Sequence, residues 1–153
     1  MVDIARDPRW GRIVEGAGED PFLGSAMAAA RVRGFQGDDL AADSTVAACA
    51  KHFAGYGAAE GGRDYDAAPI PPRLLSDVYL PPFEAAIDAG VVCVMAAFNE
   101  IDGVPMHAHE TMLRGYLRDW LGFDGIVISD YTGVLELMQH GIAATTAEAG
   151  RKA

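Results

Sequence analysis

Residues 46–52 read Val-Ala-Ala-Cys-Ala-Lys-His, an apolar run that ends in two basic side chains. Polar and apolar residues do not alternate before the lysine, which is typical of a parallel strand buried on both faces. Comparable runs at residues 2–5, 91–97 and 125–129 predict three further strands. Because stretches with a helical pattern separate the four runs, the sequence predicts an α/β fold with a parallel sheet and helical crossovers.

The predicted helices have recognisable ends. Asp20 can cap a helix that starts at Pro21, and Gly34 can end it. Residues 112–121 form the clearest helix, because their apolar side chains recur at helical spacing and Gly122 can cap the end. Further helices are predicted at residues 73–89, with a kink at Pro81-Pro82, at 134–139, and after the capping box Thr145–Glu148, whereas residues 99–106 predict a turn-rich loop.

Composition excludes several classes of protein. The 153 residues include 12 Lys and Arg against 22 Asp and Glu, a net charge of −10, so neither nucleic-acid binding nor docking on anionic lipid is expected. The longest uninterrupted apolar run, at residues 91–98, is far shorter than the ~20 residues that a membrane-spanning helix needs. Cys49 and Cys93 lie in apolar surroundings and are predicted to be buried thiols rather than a disulfide.

Charged and polar side chains collect directly after each predicted strand. In parallel α/β folds, and most strictly in (β/α)8 barrels, the carboxyl ends of the strands face the active site. We therefore expect one edge of the sheet to carry a functional site. The side chains concerned are Arg6, Asp7, Arg9, Arg12, Glu15, Lys51, His52, Asn99, Glu100 and Asp130.

Two of these residues have more than one interpretation. Asp130 could cap the segment that follows it, or could serve as a nucleophile, a base or a metal ligand. Lys51 could form a structural ion pair, could bind a polyhydroxylated ligand together with His52, or could form a Schiff base.

Other motifs are weaker. His107-Ala108-His109 follows a turn and has no third ligand near it in the sequence, so a metal site is disfavoured. The Gly-rich residues 11–18 lack the Gly-Lys-Ser/Thr of a phosphate-binding loop, which disfavours nucleotide binding. Trp10 and Tyr131 could stack on a sugar or could simply pack.

Four motifs, in order along nearly the whole chain, resemble those of family 3 glycoside hydrolases. The resemblance is carried by Asp7-Pro8-Arg9-Trp10-Gly11-Arg12 with Glu15 and Gly18-Glu19-Asp20-Pro21, by Lys51-His52-Phe53-Ala54-Gly55-Tyr56-Gly57, by Glu60-Gly61-Gly62-Arg63-Asp64-Tyr65, and by residues 122–131.

This resemblance implies a fold and a set of roles. The fold would be a partial (β/α)8 TIM-barrel-like sheet truncated at both ends, the middle-to-late portion of the family's N-terminal domain, with its second domain absent. Asp130 would be the catalytic nucleophile of a retaining mechanism that hydrolyses β-glucosides or β-xylosides and needs no metal or organic cofactor. Arg12, Lys51, His52 and Arg63 would bind sugar hydroxyls in the −1 subsite, and Met95 and Tyr131 would line that pocket.

The resemblance also carries two departures. Phe98 stands where many relatives place a Tyr beside the nucleophile, which removes one hydroxyl. The family usually takes its acid/base Glu from the second domain, so little turnover is expected of these 153 residues alone, and exposed sheet edges would favour self-association. A Schiff-base lyase that uses Lys51 and a non-catalytic sugar-binding fragment are the alternatives.

Overall fold

The computed structural model describes residues 1–153 and contains one parallel sheet and one hairpin. The strands are β1 (Cys49–Phe53), β2 (Cys93–Ala96), β3 (Glu100–Ile101), β4 (Val104–Pro105) and β5 (Ile126–Ile128). Strands β1, β2 and β5 pair in that order, all parallel, and β3 pairs with β4 antiparallel. The predicted α/β class of TIM-barrel-like sheet with helical crossovers is therefore confirmed.

Helices connect the parallel strands. The longest, α1, packs against α3. No helix is long and apolar enough to cross a membrane. The α-helices are α1 (Pro21–Gln36), α2 (Pro72–Leu74), α3 (Pro81–Asp88), α4 (Gly133–Glu136) and α5 (Thr146–Lys152). Leu75–Tyr79 and Thr111–Trp120 are π-helical, and 3₁₀ turns lie at Ile13–Glu15, Tyr56–Ala58, Glu60–Gly62 and Met106–Ala108.

Helix α1 begins as predicted and ends later than predicted. The Asp20 side chain accepts the backbone N–H of Phe22 at 2.8 Å. The helix passes Gly34 and ends at Gln36, and its C-cap is Gly37, whose φ is +55°. A tertiary contact explains the extra turn: the buried Gln36 side chain donates to the carbonyl of Gly90 at 2.8 Å and accepts the N–H of Ala48 at 3.2 Å.

Residues 2–5 form no strand, although the sequence predicts one. Only the N–H of Val2 bonds to β1, at the Lys51 carbonyl. The next contact with β1 comes from a side chain, because the Asp3 carboxylate accepts the backbone N–H of His52 at 2.9 Å. The Asp3 carboxylate thus takes the place of the backbone carbonyl that would accept the His52 N–H in a regular β-ladder.

The segment at residues 111–120 is helical, as predicted, but it is a π-helix, which has more residues per turn than an α-helix. Its two buried side chains, Met112 and Leu117, are five positions apart, which suits the i→i+5 geometry of a π-helix. Trp120, expected on the apolar face, is 78% exposed.

The remaining predicted elements differ in detail. The predicted helix at 73–89 is divided into α2, the π-helical Leu75–Tyr79 and α3, and α3 starts at Pro81, where the sequence predicts a kink. The predicted loop at 99–106 contains the β3–β4 hairpin, whose turn residues Asp102 and Gly103 both have positive φ. Thr145 caps α5 as predicted, because the Glu148 N–H donates to its hydroxyl at 3.2 Å, whereas the Glu148 carboxylate accepts the N–H of Ala144 rather than that of Thr145.

The two faces of the sheet have different environments. Ala50 and Val94 are fully buried in the main core. On the opposite face, Cys49 lies beside Cys93 in the β1–β2 register, and both are free thiols, as predicted, although they are only half-buried. Burial raises the pKa of Cys49 to about 12, which keeps this thiol protonated.

Candidate active site

Asp130 follows β5 and presents its carboxylate toward β1. Its Oδ1 accepts the backbone N–H of Tyr131 at 2.7 Å, and its Oδ2 lies 3.3 Å from Nε2 of His52. Thr132, not Asp130, occupies the N-cap position of α4, and no side chain makes a capping hydrogen bond there. The capping interpretation of Asp130 is therefore wrong, and the carboxylate faces a histidine instead.

His52 links Asp130 to a second carboxylate. Oδ2 of Asp3 lies 2.9 Å from Nδ1 of His52 and also accepts the His52 backbone N–H. The side chains of Asp3 and His52 are 1% and 0% exposed, so water does not compete for these hydrogen bonds. The sequence reasoning missed Asp3, although an acidic residue inside the apolar run at 2–5 was a usable signal.

Lys51 and His52 reach the same region because β1 is irregular between them. Lys51 pairs with Met95, and Phe53 pairs with Ala96, so His52 is an extra residue in β1. Such a bulge changes the direction of a side chain relative to strict alternation. Met95 in turn pairs with Ile128, so Lys51, Met95 and Ile128 share one face of the sheet.

Arg12 lies one aromatic ring away from His52. Its guanidinium donates to both oxygens of Glu15, at 2.7 and 2.9 Å, and lies 5.5 Å from the centroid of the Tyr56 ring. The hydrogen bonds that Arg12 donates to Glu15 raise the pKa of Arg12. The edge of Tyr56 packs against the His52 ring at 4.9 Å, and Trp10 packs against Tyr56 in the core.

Two predicted sugar-binding residues point away from this cluster. The Arg63 side chain is 70% exposed and pairs with Asp66 at 2.7 Å. Tyr131 is 81% exposed, and only its backbone N–H contacts Asp130. Their roles stay predictions.

Phe98 is buried beside a tyrosine. Its ring lies 4.2 Å from the ring of Tyr65, measured between centroids. Burial is the main cause of the raised pKa of Tyr65, followed by the negative charges of Glu136, Asp64 and Asp130. A phenol hydroxyl therefore lies in this region even though residue 98 has none.

His107 is buried and contacts the backbone of the predicted nucleophile. Its Nε2 accepts the N–H of Asp130 at 3.2 Å. No three His, Cys, Asp or Glu side chains lie close enough together to hold a metal ion. The sequence reasoning considered His107 only as half of a disfavoured metal pair, and nothing local revealed its contact with Asp130.

Acidification is expected to destabilise the fold through His107 and His109. Burial is the main cause of the lowered pKa of both residues, so the folded chain binds protons less readily than the unfolded chain. Their contribution is fully present above their unfolded pKa of about 6.5 and is lost as the pH falls through that value toward the folded pKa. We expect the urea midpoint of unfolding to decrease as the pH is lowered from 7.5 to 5.5.

The control for this prediction is His107→Gln, which cannot titrate. The variant should show a shallower fall of the urea midpoint than the unaltered chain over the same pH range. Equal slopes in the two chains would contradict the role assigned to His107.

Comparison with known proteins shows extensive similarity over the whole chain. The model of the glycosyl hydrolase family 3 N-terminal domain matches residues 1–153. A periplasmic β-glucosidase of Salmonella typhimurium is 44% identical over 153 residues, which is 100% of this chain and 20% of that protein. A putative β-xylosidase of Formosa agariphila is 43% identical over 139 residues, 89% of this chain and 18% of that protein.

Solved structures agree with these relatives. The crystal structure of a β-glucosidase from Listeria innocua in complex with isofagomine matches with a TM-score of 0.96 and 47% identity, over 99% of this chain and 22% of that one. The same enzyme in complex with glucose matches with a TM-score of 0.95 and 47% identity, over 98% and 21%. The chain spans about a fifth of the length of the curated relatives it matches.

Proposed function

This chain belongs to glycosyl hydrolase family 3, and we propose that it provides the nucleophile and sugar-binding groups for retaining hydrolysis of β-glucosides or β-xylosides. The observation that carries the proposal is the line of three side chains Asp3, His52 and Asp130 at the end of the parallel sheet. Relatives named β-glucosidase and β-xylosidase support the substrate class.

The proposed chemistry uses Asp130 in two steps. An oxygen of its carboxylate attacks the anomeric carbon while the bond to the leaving oxygen breaks, and a second carboxyl group supplies the proton to that oxygen. Water then attacks the anomeric carbon and gives a proton to the second carboxylate, so that the glycosyl ester bond breaks and Asp130 is released. Because the transition states resemble an oxocarbenium ion, the negative charge of Asp130 also stabilises them.

The other residues are proposed to bind the sugar. Lys51 in β1 can donate hydrogen bonds to hydroxyl groups, and Met95 offers an apolar surface beside it. His52 is proposed to contact the sugar through the Nε2 end of its ring, which faces Asp130. Glu15 holds the Arg12 guanidinium in place, so less conformational entropy of this side chain is lost when a sugar binds. Arg63 and Tyr131 are exposed, and we propose that they turn toward the sugar from the open side.

The direct test is covalent trapping. A 2-deoxy-2-fluoro-β-glucoside with a dinitrophenolate leaving group needs no protonation of that group, so it reports on the nucleophile and the sugar pocket alone. We expect one adduct per chain by intact mass, on the peptide that contains Asp130.

Two results would contradict the proposal. One is the absence of an adduct in a chain that unfolds cooperatively, and the other is an adduct that maps to a different carboxylate. Borohydride trapping of a carbonyl compound on Lys51 would instead support a Schiff-base lyase.

A further inference from the structure

We propose that His107 is a positioning residue for Asp130. Its imidazole accepts the backbone N–H of Asp130 and thereby holds the loop that carries this carboxylate. The inference deepens the proposed function and rests on it, because it concerns how the nucleophile is aimed. His107 lies on the 3₁₀ turn after β4, which is remote from Asp130 in the sequence.

The hydrogen bond defines the state of the imidazole. The Asp130 N–H is a donor, so Nε2 of His107, 3.2 Å away, must be unprotonated. The neutral ring then carries its proton on Nδ1. The Nε2 end of the ring is thus fixed by the segment after β5.

A glycine provides the space for this ring. A Cβ added to Gly133 would lie 2.2 Å from both Cε1 and Nε2 of His107. Real contacts are never so short, so any other residue at 133 would displace either the ring or the loop. The N–H of Gly133 also bonds to the Asp130 carbonyl at 3.1 Å, which closes residues 130–133 into a turn against the imidazole.

The surroundings of the ring contain few competing groups. Asp130 and His140 are the titratable groups whose charges act on His107, and the ring of Phe98 lies 6.1 Å from it. No other side chain bonds to the Asp130 N–H, so the loss of the imidazole acceptor would free the loop on that side. A displacement of the reacting oxygen by about 1 Å can lower a rate by about 10²-fold.

The test compares two replacements of His107. His107→Gln keeps an acceptor near the position of Nε2, and His107→Leu has a similar size and no acceptor. The first measurement is hydrogen exchange of the Asp130 amide by NMR, which does not depend on any activity. We expect exchange to quicken by about 10-fold or more in the leucine variant, as for an amide that loses its partner, and to stay close to the original rate in the glutamine variant.

The second measurement is the rate of trapping by the fluoroglucoside. We expect the limiting rate to fall by about 10- to 100-fold in His107→Leu, with little change in the concentration that gives half the limiting rate, and to recover most of its value in His107→Gln. A residue that only stabilised the fold would lower the labelled fraction and leave the limiting rate of folded chains unchanged.

Two further substitutions test directly how His107 packs against Gly133. Gly133→Ala should lower the urea midpoint strongly when His107 is present, and only weakly in combination with His107→Ala, because the shortened side chain removes the clash. Additive effects of the two changes would overturn the packing on which the proposal depends.

The outcomes separate the two hypotheses. Unchanged Asp130 exchange in His107→Leu would overturn the positioning role whatever the trapping shows. If the unaltered chain is folded and remains unlabelled, the proposed nucleophile fails, and the exchange result still decides whether His107 holds the Asp130 loop.

Discussion

Asp130→Asn is expected to lower the rate of covalent trapping by at least about 10⁴-fold, as in other enzymes that lose their nucleophile. An amide oxygen is a poor nucleophile and carries no charge to stabilise an oxocarbenium-like transition state. The replacement has the same shape, and its oxygen can still accept the N–H of Tyr131, a bond that is 2.7 Å long in the unaltered chain. The loss should therefore come from chemistry and not from unfolding.

Asp124→Asn is the matched control for this experiment. Asp124 is exposed and lies just before β5, whereas Asp130 follows the same strand. The control variant should be labelled at the original rate. Undiminished labelling of Asp130→Asn, measured as adduct mass against time, would mean that another carboxylate is the nucleophile.

The truncation Asp130→Ala gives a second readout of the same role. Removal of the carboxylate leaves space in which an added azide ion can attack the anomeric carbon from the side that Asp130 faces. The reaction breaks the bond to dinitrophenolate and forms one between carbon and nitrogen, so a dinitrophenyl β-glucoside should yield the α-glucosyl azide. A β-configured azide would place the attacking group on the opposite face.

The parallel sheet was predictable from local patterns because an apolar run leads into or makes up each of its three strands. The position of Asp130 was equally predictable, since it directly follows the run at residues 125–129. The end of α1 was not, because the buried Gln36 side chain prolongs that helix through contacts with residues far along the chain. Local helix-ending signals such as Gly34 cannot report such contacts.

The residues of the candidate site also differ in whether local patterns reveal them. Lys51 and His52 follow a strand and were found, whereas Asp3 and His107 contact the site only through the fold. Asp3 is 49 positions from His52, and His107 is 23 positions from Asp130. No spacing rule connects residues so far apart, so the partners of His52 and Asp130 became visible only in three dimensions.

Asp3→Ala is expected to lower the free energy of unfolding by about 3–5 kcal/mol. The carboxylate is the acceptor for both the Nδ1–H and the backbone N–H of His52, and both donors are buried. A buried donor without a partner costs about 1–3 kcal/mol, so the loss of two acceptor bonds accounts for the expected size. Urea unfolding at pH 7.5 measures the effect.

Two further variants determine what the loss means. Asp77→Ala removes one partner of the exposed pair with Arg73, whose side chains are 59% and 93% exposed, and should cost less than about 1 kcal/mol. Asp3→Asn keeps one acceptor oxygen and should lie between Asp3→Ala and the unaltered chain. If Asp3→Ala were no more destabilising than Asp77→Ala, the buried carboxylate would not be holding His52.

The same variants test whether Asp3 also affects the reaction at Asp130. Because Nε2 of His52 lies 3.3 Å from Oδ2 of Asp130, an imidazole that loses Asp3 is free to rotate away from the nucleophile. We therefore expect the limiting rate of trapping at Asp130 to fall in folded Asp3→Ala chains, to fall less in Asp3→Asn chains, and to be unchanged in Asp77→Ala chains. A rate that followed only the fraction of folded chains would restrict Asp3 to a structural role.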